Sequence, residues 1–239
     1  MKKRLDELLI EHGFADDSYQ ALTLVVEGKI LVNGQRMISP AQLVNADAKI
    51  AIREEKYVGR GASKLEAAIQ KFEISVKNKV CADIGSATGG FVEILLKYGA
   101  KKVYAIDTAR GKLALKLRED PRVVVMERID VRDLKNLPEQ VDLITIDVSL
   151  ISLRQILPAV RAFLNPNGFM LALFKPQYET RDSKLLKHGV IRDAAPRETL
   201  LESFIGWTRA NCWQVIEWME SPIRGDKGNL EYLVYLKQS

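Results

Sequence analysis

Near the start of the chain the apolar positions recur three and four apart. Leu5, Leu8, Leu9 and His12 thereby share one face of a helix over 4–12, and Gly13 reads as its stop. Ser18 reads as the N-cap of a second helix, in which Ala21, Leu22, Val25 and Val26 repeat that spacing up to Gly28. The period then shortens to two. Lys29–Met37 turns around Asn33-Gly34, a dipeptide that favours a tight hairpin, and Lys49–Ile52 supplies one more strand. Two short helices and a small hairpin sheet thus occupy residues 1–58, a length that folds with little margin.

A charged, glycine-bearing stretch over 53–62 reads as a linker. Beyond it, short apolar runs alternate with segments of helical period. Strands are expected at Val80–Ile84, Val103–Asp107, Val123–Met126, Leu143–Asp147 and Phe169–Phe174, with helices over 63–72, 89–98, 111–118, 151–163 and 196–210. Late strands near Gln214–Met219 and Glu231–Leu236 bring the sheet to seven. This alternation predicts an α/β domain over 59–239, a mostly parallel sheet covered by helices on both faces.

Composition adds a compartment and a charge. The apolar runs are too short for a membrane-spanning helix, and no apolar signal region follows Lys2-Lys3-Arg4. Cys81 and Cys212 form no disulfide framework, so both read as small core residues in a reducing cytoplasm. His12 and His188 make no cluster with them, and no metal site is expected. The aromatic rings of Trp207, Trp213 and Trp218 read as core. The net charge of +5 is uneven: residues 1–58 hold 8 Lys/Arg against 9 Asp/Glu, and the remainder 28 against 22. A basic surface therefore belongs to the second domain and suits a polyanionic partner.

The candidate chemistry centres on Asp83-Ile84-Gly85-Ser86-Ala87-Thr88-Gly89-Gly90-Phe91, a strand end, a glycine-rich turn and a helix start. The glycines admit close backbone approach, and the helix directs free N–H groups toward an anion. The spacing is neither the dinucleotide fingerprint nor a P-loop; it is the pattern of a pocket for S-adenosylmethionine, formed by Asp83, Gly85, Ser86, Thr88, Gly89, Gly90 and Phe91. Asp107 ends the second strand, 24 residues beyond Asp83, where a carboxylate can accept both ribose hydroxyls. Asp130, after the third strand, is placed to accept from the adenine amino group.

Four ionisable residues sit where a core has no use for them: Lys64 after the linker, Asp147 and Lys175 at strand ends, and Glu231 at the start of the last strand. The motifs around them are Gly59-Arg60-Gly61-Ala62-Ser63-Lys64-Leu65, the glycine loop, Phe174-Lys175-Pro176-Gln177 and Lys227-Gly228-Asn229-Leu230-Glu231-Tyr232-Leu233. Together they resemble the TlyA family, ribosomal RNA 2′-O-methyltransferases related to the FtsJ type. The resemblance implies that Lys64, Asp147, Lys175 and Glu231 are a catalytic tetrad. It also implies a cytidine ribose in ribosomal RNA as substrate, and ribosomal RNA or a ribosomal subunit as partner.

The N-terminal residues Arg4-Leu5-Asp6, Ser18, Ala21, Gly28 and Val32-Asn33-Gly34 resemble the S-four-type RNA-binding domain. Tyr19, Gln20, Thr23 and Leu24 stand where that domain is usually more basic. Arg4 and Arg60, with Arg181, Lys184, Lys187 and Arg192 of a basic loop over 179–192, are the expected RNA contacts. Two competing readings are a membrane-active, haemolysin-like protein and a ribosome-binding module without catalysis.

Overall fold

A computed structural model describes residues 2–26, 28–52 and 56–239. The chain divides into two compact units, Met1–Lys56 and Tyr57–Ser239.

The smaller unit runs β1 (Lys2–Arg4), α1 (Leu5–Glu11), α2 (Ser18–Val26), β2 (Ile30–Val32), β3 (Gln35–Arg36), β4 (Leu43–Asn45) and β5 (Ile50–Ile52). Leu5, Leu8 and Leu9 are buried as their spacing demands, whereas His12 lies beyond the helix and is exposed. The second helix is capped by Asp17, whose Oδ1 accepts from Gln20 N at 2.7 Å, and Ser18 is its first helical residue. The hairpin forms as expected: Val32 faces Gln35, with Asn33 and Gly34 both at positive φ. The short pairing of β1 with β4 carries no periodic signal and was not foreseen. Residues 53–55 of the expected linker lie outside the described residues.

The larger unit begins two residues before the expected boundary, because Tyr57 and Val58 are fastened to it. Tyr57 donates to Glu66 Oε2 at 2.7 Å, and Val58 N donates to Glu93 Oε2 at 2.7 Å. Its elements are α3 (Gly61–Lys71), β6 (Val80–Ile84), α4 (Gly90–Lys97), β7 (Lys102–Asp107), α5 (Leu115–Arg118), β8 (Val123–Glu127), β9 (Val141–Ile146), α6 (Leu153–Val160), β10 (Leu164–Phe174), α7 (Pro176–Glu179), α8 (Ala194–Ala210), β11 (Trp213–Glu220) and β12 (Tyr232–Gln238). Only the last turn of the helix expected over 111–118 forms, since Gly111 is at positive φ and Ala114 is extended.

Seven strands lie in the order β11-β12-β10-β9-β6-β7-β8, and the five strands β6 to β10 are mutually parallel. β12 runs antiparallel to β10 and pairs Tyr232 with Phe174. A parallel set brings all its carboxyl ends to one rim, and the antiparallel strand brings its beginning to that same rim. Helices cover both faces, with separate apolar clusters around Ile144, Phe174 and Phe204 on one side and Leu65, Leu95 and Leu171 on the other. Cys81 is buried, but Cys212 is exposed in the turn after α8, at positive φ. Trp213 is buried, Trp207 packs against the core, and Trp218 is 46% exposed.

Candidate active site

β6 is buried along its whole length, so Asp83 within it is held in an apolar sheet. Its Oδ1 accepts from Thr145 Oγ1 at 2.7 Å, across the β6–β9 pairing. Its Oδ2 is buried without a hydrogen-bond partner. Burial, opposed by the Thr145 bond and aided by the nearby Asp147 and Asp107 charges, pushes the carboxyl up to about 7.

Immediately after Ile84 the backbone turns at Gly85, whose φ is +84°. A Cβ there would overlap the carbonyl oxygen of Asp147, so this close approach of two strand ends requires glycine. Asp107 then organises the loop, taking Ala87 N on Oδ2 at 2.8 Å and Ala109 N on Oδ1 at 2.7 Å. α4 starts at Gly90, and its first N–H groups open toward the rim.

The four ionisable residues predicted from the sequence meet at one cavity of about 410 Å³. They form two ion pairs. Lys175, just past β10, lies 2.6 Å from Asp147 Oδ1, and its Nζ also donates to Val148 O at 2.8 Å and Ser149 Oγ at 3.2 Å. Lys64 from α3 lies 2.6 Å from Glu231 Oε2, with side chains only 9% and 3% exposed. Removing one member of such a pair strands a buried charge, which costs about 3–5 kcal/mol. Asp83, Gly85, Ser86, Thr88, Gly90 and Phe91 line the same cavity. Gly89 instead packs under Leu113 and Leu117.

A second cavity of about 630 Å³ shares Gly85, Ala87, Asp147 and Ser149 with the first and is lined further by Asp107, Asp130, Ile129, Val131, Val148 and Ile156. The two cavities therefore adjoin, the second mixing apolar side chains with Asp107, Lys112, Asp130 and Arg132. Asp130 lines this second cavity, and its carboxylate is gripped by Arg132 at 2.5 Å, which with the Arg132 backbone amide holds it near 2.

Of the expected RNA contacts in the larger unit, Arg60 lines the first cavity. Arg181, Lys184, Lys187 and Arg192 are all exposed on the 179–192 segment. In the smaller unit Arg4 is exposed, yet Asp6 holds its guanidinium with two hydrogen bonds. Sequence reasoning passed over Thr145, Ser149, Gln177, Tyr178 and Arg224. Thr145 could have been found as the polar residue in Leu143-Ile144-Thr145-Ile146 on a strand otherwise apolar.

A mostly parallel sheet in this strand order, with a glycine loop after its first strand and ion pairs at its rim, defines a Rossmann-like methyltransferase. A family model for FtsJ-like methyltransferases matches residues 57–238. The chain is 40% identical over 243 residues to Bacillus subtilis YqxC, which bears the provisional name rRNA methyltransferase; the match covers 98% of this chain and 85% of that relative. It is 35% identical to the 16S/23S rRNA (cytidine-2′-O)-methyltransferase TlyA of Mycobacterium tuberculosis, over 99% of this chain and 90% of that one. A solved Streptococcus thermophilus protein, under the provisional label hemolysin, superposes with a TM-score of 0.77 at 34% identity, covering 100% of this chain and 89% of its own. The chain belongs to the FtsJ-like methyltransferase family and, within it, to the TlyA group. A 47-residue stretch, 20% of the chain, is also 40% identical to the small ribosomal subunit protein uS4 of Saccharolobus islandicus, of which it covers 26%.

Proposed function

We propose that the chain methylates the ribose 2′-hydroxyl of a cytidine in ribosomal RNA, with S-adenosylmethionine as donor. The observation that carries this reading is the meeting of two ion pairs, the part-buried Lys175–Asp147 and the buried Lys64–Glu231, in one cavity beside the glycine loop. The adjoining cavities fit the cofactor. Asp83, with one carboxylate oxygen lacking a partner, suits the ammonium of its methionine end. Asp107 suits its ribose, and Ile129, Val131, Val148 and Asp130 its adenine. When bound, S-adenosylmethionine supplies a methyl group already activated by the sulfonium.

The remaining task is the nucleophile. A ribose hydroxyl reacts once its proton is removed or its developing charge is stabilised. Lys175 faces the hydroxyl and does one or the other. Asp147 and Val148 O fix the direction of its ammonium, and Lys64 with Glu231 holds the ribose. Exposed Arg181, Lys184, Lys187 and Arg192, with Arg60, meet phosphates. Residues 1–58 are assigned as the S-four-type RNA-binding domain on the likeness to uS4, with Arg4 contributing, and 59–239 as the methyltransferase domain. A ribosomal substrate puts the protein in the cytoplasm.

The test is transfer of labelled methyl from S-adenosylmethionine to ribosomal subunits purified from a strain lacking the gene. The expected result is label at one cytidine, resistant to alkaline hydrolysis, that Lys175→Ala lowers at least about a thousandfold while cofactor affinity is retained. Turnover retained by that variant overturns the assignment of Lys175. Cofactor binding with no transfer to either subunit replaces the reading with a ribosome-binding module. Among the described residues no helix is long and apolar enough to cross a membrane; vesicle leakage without cofactor would nonetheless favour the membrane-active alternative.

A further inference from the structure

The connection from β11 to β12, residues 221–231, forms one wall of the catalytic cavity. Ile223, Arg224 and Gly225 line it beside Glu231, and a Cβ on Gly225 would overlap the Glu231 carboxylate. Internal bonds give the segment a fixed shape. Ser221 N donates to Glu231 O at 2.8 Å, Ser221 Oγ to Ile223 O at 2.6 Å, and Gly225 N to Asn229 O at 2.9 Å.

Asn229, 4% exposed, grips the neighbouring basic loop with both ends of its carboxamide. Its Nδ2 donates to Gly189 O at 2.9 Å and its Oδ1 accepts from Ile191 N at 3.2 Å. The gripped loop is itself a turn, closed by the bridge between Lys187 and Val190. Lys227 leans over that turn: its Nζ stands 3.4 Å from where a Cβ on Gly189 would lie. A buried amide satisfied at both ends makes one unit of two segments that are otherwise solvated connections.

The two segments carry six Lys/Arg against four Asp/Glu, and Glu179 and Glu231 are already engaged by Ser152, Leu153 and Lys64. Arg224 and Lys227 are exposed beside exposed Lys187 and Arg192. Arg224 donates one 3.3 Å bond to Gly228 O, and neither it nor Lys227 pairs with a carboxylate among the described residues. Surface cations on natural proteins commonly find acidic neighbours, as Lys97, Lys102, Lys116 and Arg122 do elsewhere on this unit. Here Arg224 lines the cavity proposed for the ribose, and Lys227 stands over the turn tied to the same connection.

We propose that Arg224 and Lys227, on a connection braced by Asn229 against Gly189 and Ile191, are a phosphate clamp that holds the RNA backbone beside the nucleotide entering the cavity. The proposal rests on the RNA-methyltransferase reading and adds to it a second strand connection, opposite the 179–192 loop. Because the contacts are to phosphates, they set affinity and register without reading sequence.

The test compares the full-length chain with the double variant Arg224→Gln/Lys227→Gln. Binding of an oligocytidylate probe is followed by fluorescence anisotropy across salt concentrations, alongside methyl transfer to ribosomal subunits. Each phosphate contact in a single strand contributes about −0.7 to the slope of log affinity against log salt. The double variant should shallow that slope by about 1.4, raise KM for subunits by about tenfold, and leave kcat within about twofold. Its cofactor affinity should not change. An unaltered slope and KM overturn the clamp, as does a fall in kcat at fixed KM. The two readings separate cleanly. A shallower slope in a chain that transfers no methyl supports the clamp and removes the methyltransferase assignment, whereas transfer by an unaffected double variant removes the clamp alone.

Discussion

Asp83 is a carboxylate inside a sheet, with Thr145 on one oxygen and nothing on the other. Its carboxyl titrates at about 7 in the folded chain, against about 3.9 in an unfolded one. Between those values the folded state keeps a proton that the unfolded state has released. Stability contributed by this group therefore falls as pH rises from about 4 to about 7, then levels. Asp83→Asn removes the titration while keeping the shape and the contact with Thr145. Relative to the wild type, the variant should gain about 2 kcal/mol or more between pH 5 and pH 8 in ligand-free denaturant unfolding. A constant difference between the two pH values contradicts this account. An ammonium placed by the cofactor favours the ionised form, so the same variant should bind S-adenosylmethionine less tightly. Asp83 was legible because it precedes Gly85 in a recognisable motif. Thr145 stood out only as a polar residue in an apolar strand; its role comes from facing Asp83 across the β6–β9 pairing, which no local pattern records.

The four-residue helix α7 is too short to persist by its own propensity, and two features hold it. Pro176 occupies its first turn, and Glu179 at its end reaches across to the start of α6. There Glu179 accepts from Ser152 Oγ at 2.6 Å and from Leu153 N at 2.7 Å, capping α6 from outside; burial pushes its carboxyl upward against those bonds. The α6 entry loop also supplies Val148 O and Ser149 Oγ to Lys175, so α7 and this loop are joined both there and through Glu179. Glu179→Ala leaves a part-buried hydroxyl and a helix N–H without that acceptor. It should cost about 1–3 kcal/mol in denaturant unfolding and lower kcat more than cofactor affinity; unchanged stability would contradict the latch. The sequence showed 179–192 as an open basic loop. Its positive charges are exposed as expected, but its first residue is an anchor, and its turn is fixed by Asn229 from 40 residues away. All seven strands of the larger sheet were legible, because apolar runs are local signals, although β10 begins at Leu164 rather than Phe169 and β9 at Val141 rather than Leu143. Anchors such as Glu179 and Asn229 act between segments distant in sequence, and no periodicity records them.

At the scale of the whole chain, the division into two units was visible as a change of pattern, from a small helix–hairpin set to alternating strands and helices. The cores are of unequal size. The smaller unit relies on a cluster around Leu5, Leu9, Val25 and Ile30, whereas the larger one packs two extensive clusters on either face of seven strands. Buried fraction rises with length, so a unit of this size is intrinsically less stable than the larger one. Tyr19 at 78% and Val26 at 62% exposure leave part of α2 outside its own core, which lowers that margin further. All three tryptophans, Trp207, Trp213 and Trp218, belong to the larger unit. Tryptophan fluorescence therefore reports only that unit, while far-ultraviolet circular dichroism senses helices and strands in both. Heating the full chain should give a dichroism change that begins before the fluorescence change, with the early phase no larger than the smaller unit's share of regular structure. Coincident transitions would mean that the two cores unfold as one cooperative body. With S-adenosylmethionine added, mass action on a site confined to the larger unit should raise the fluorescence midpoint and leave the early phase where it was.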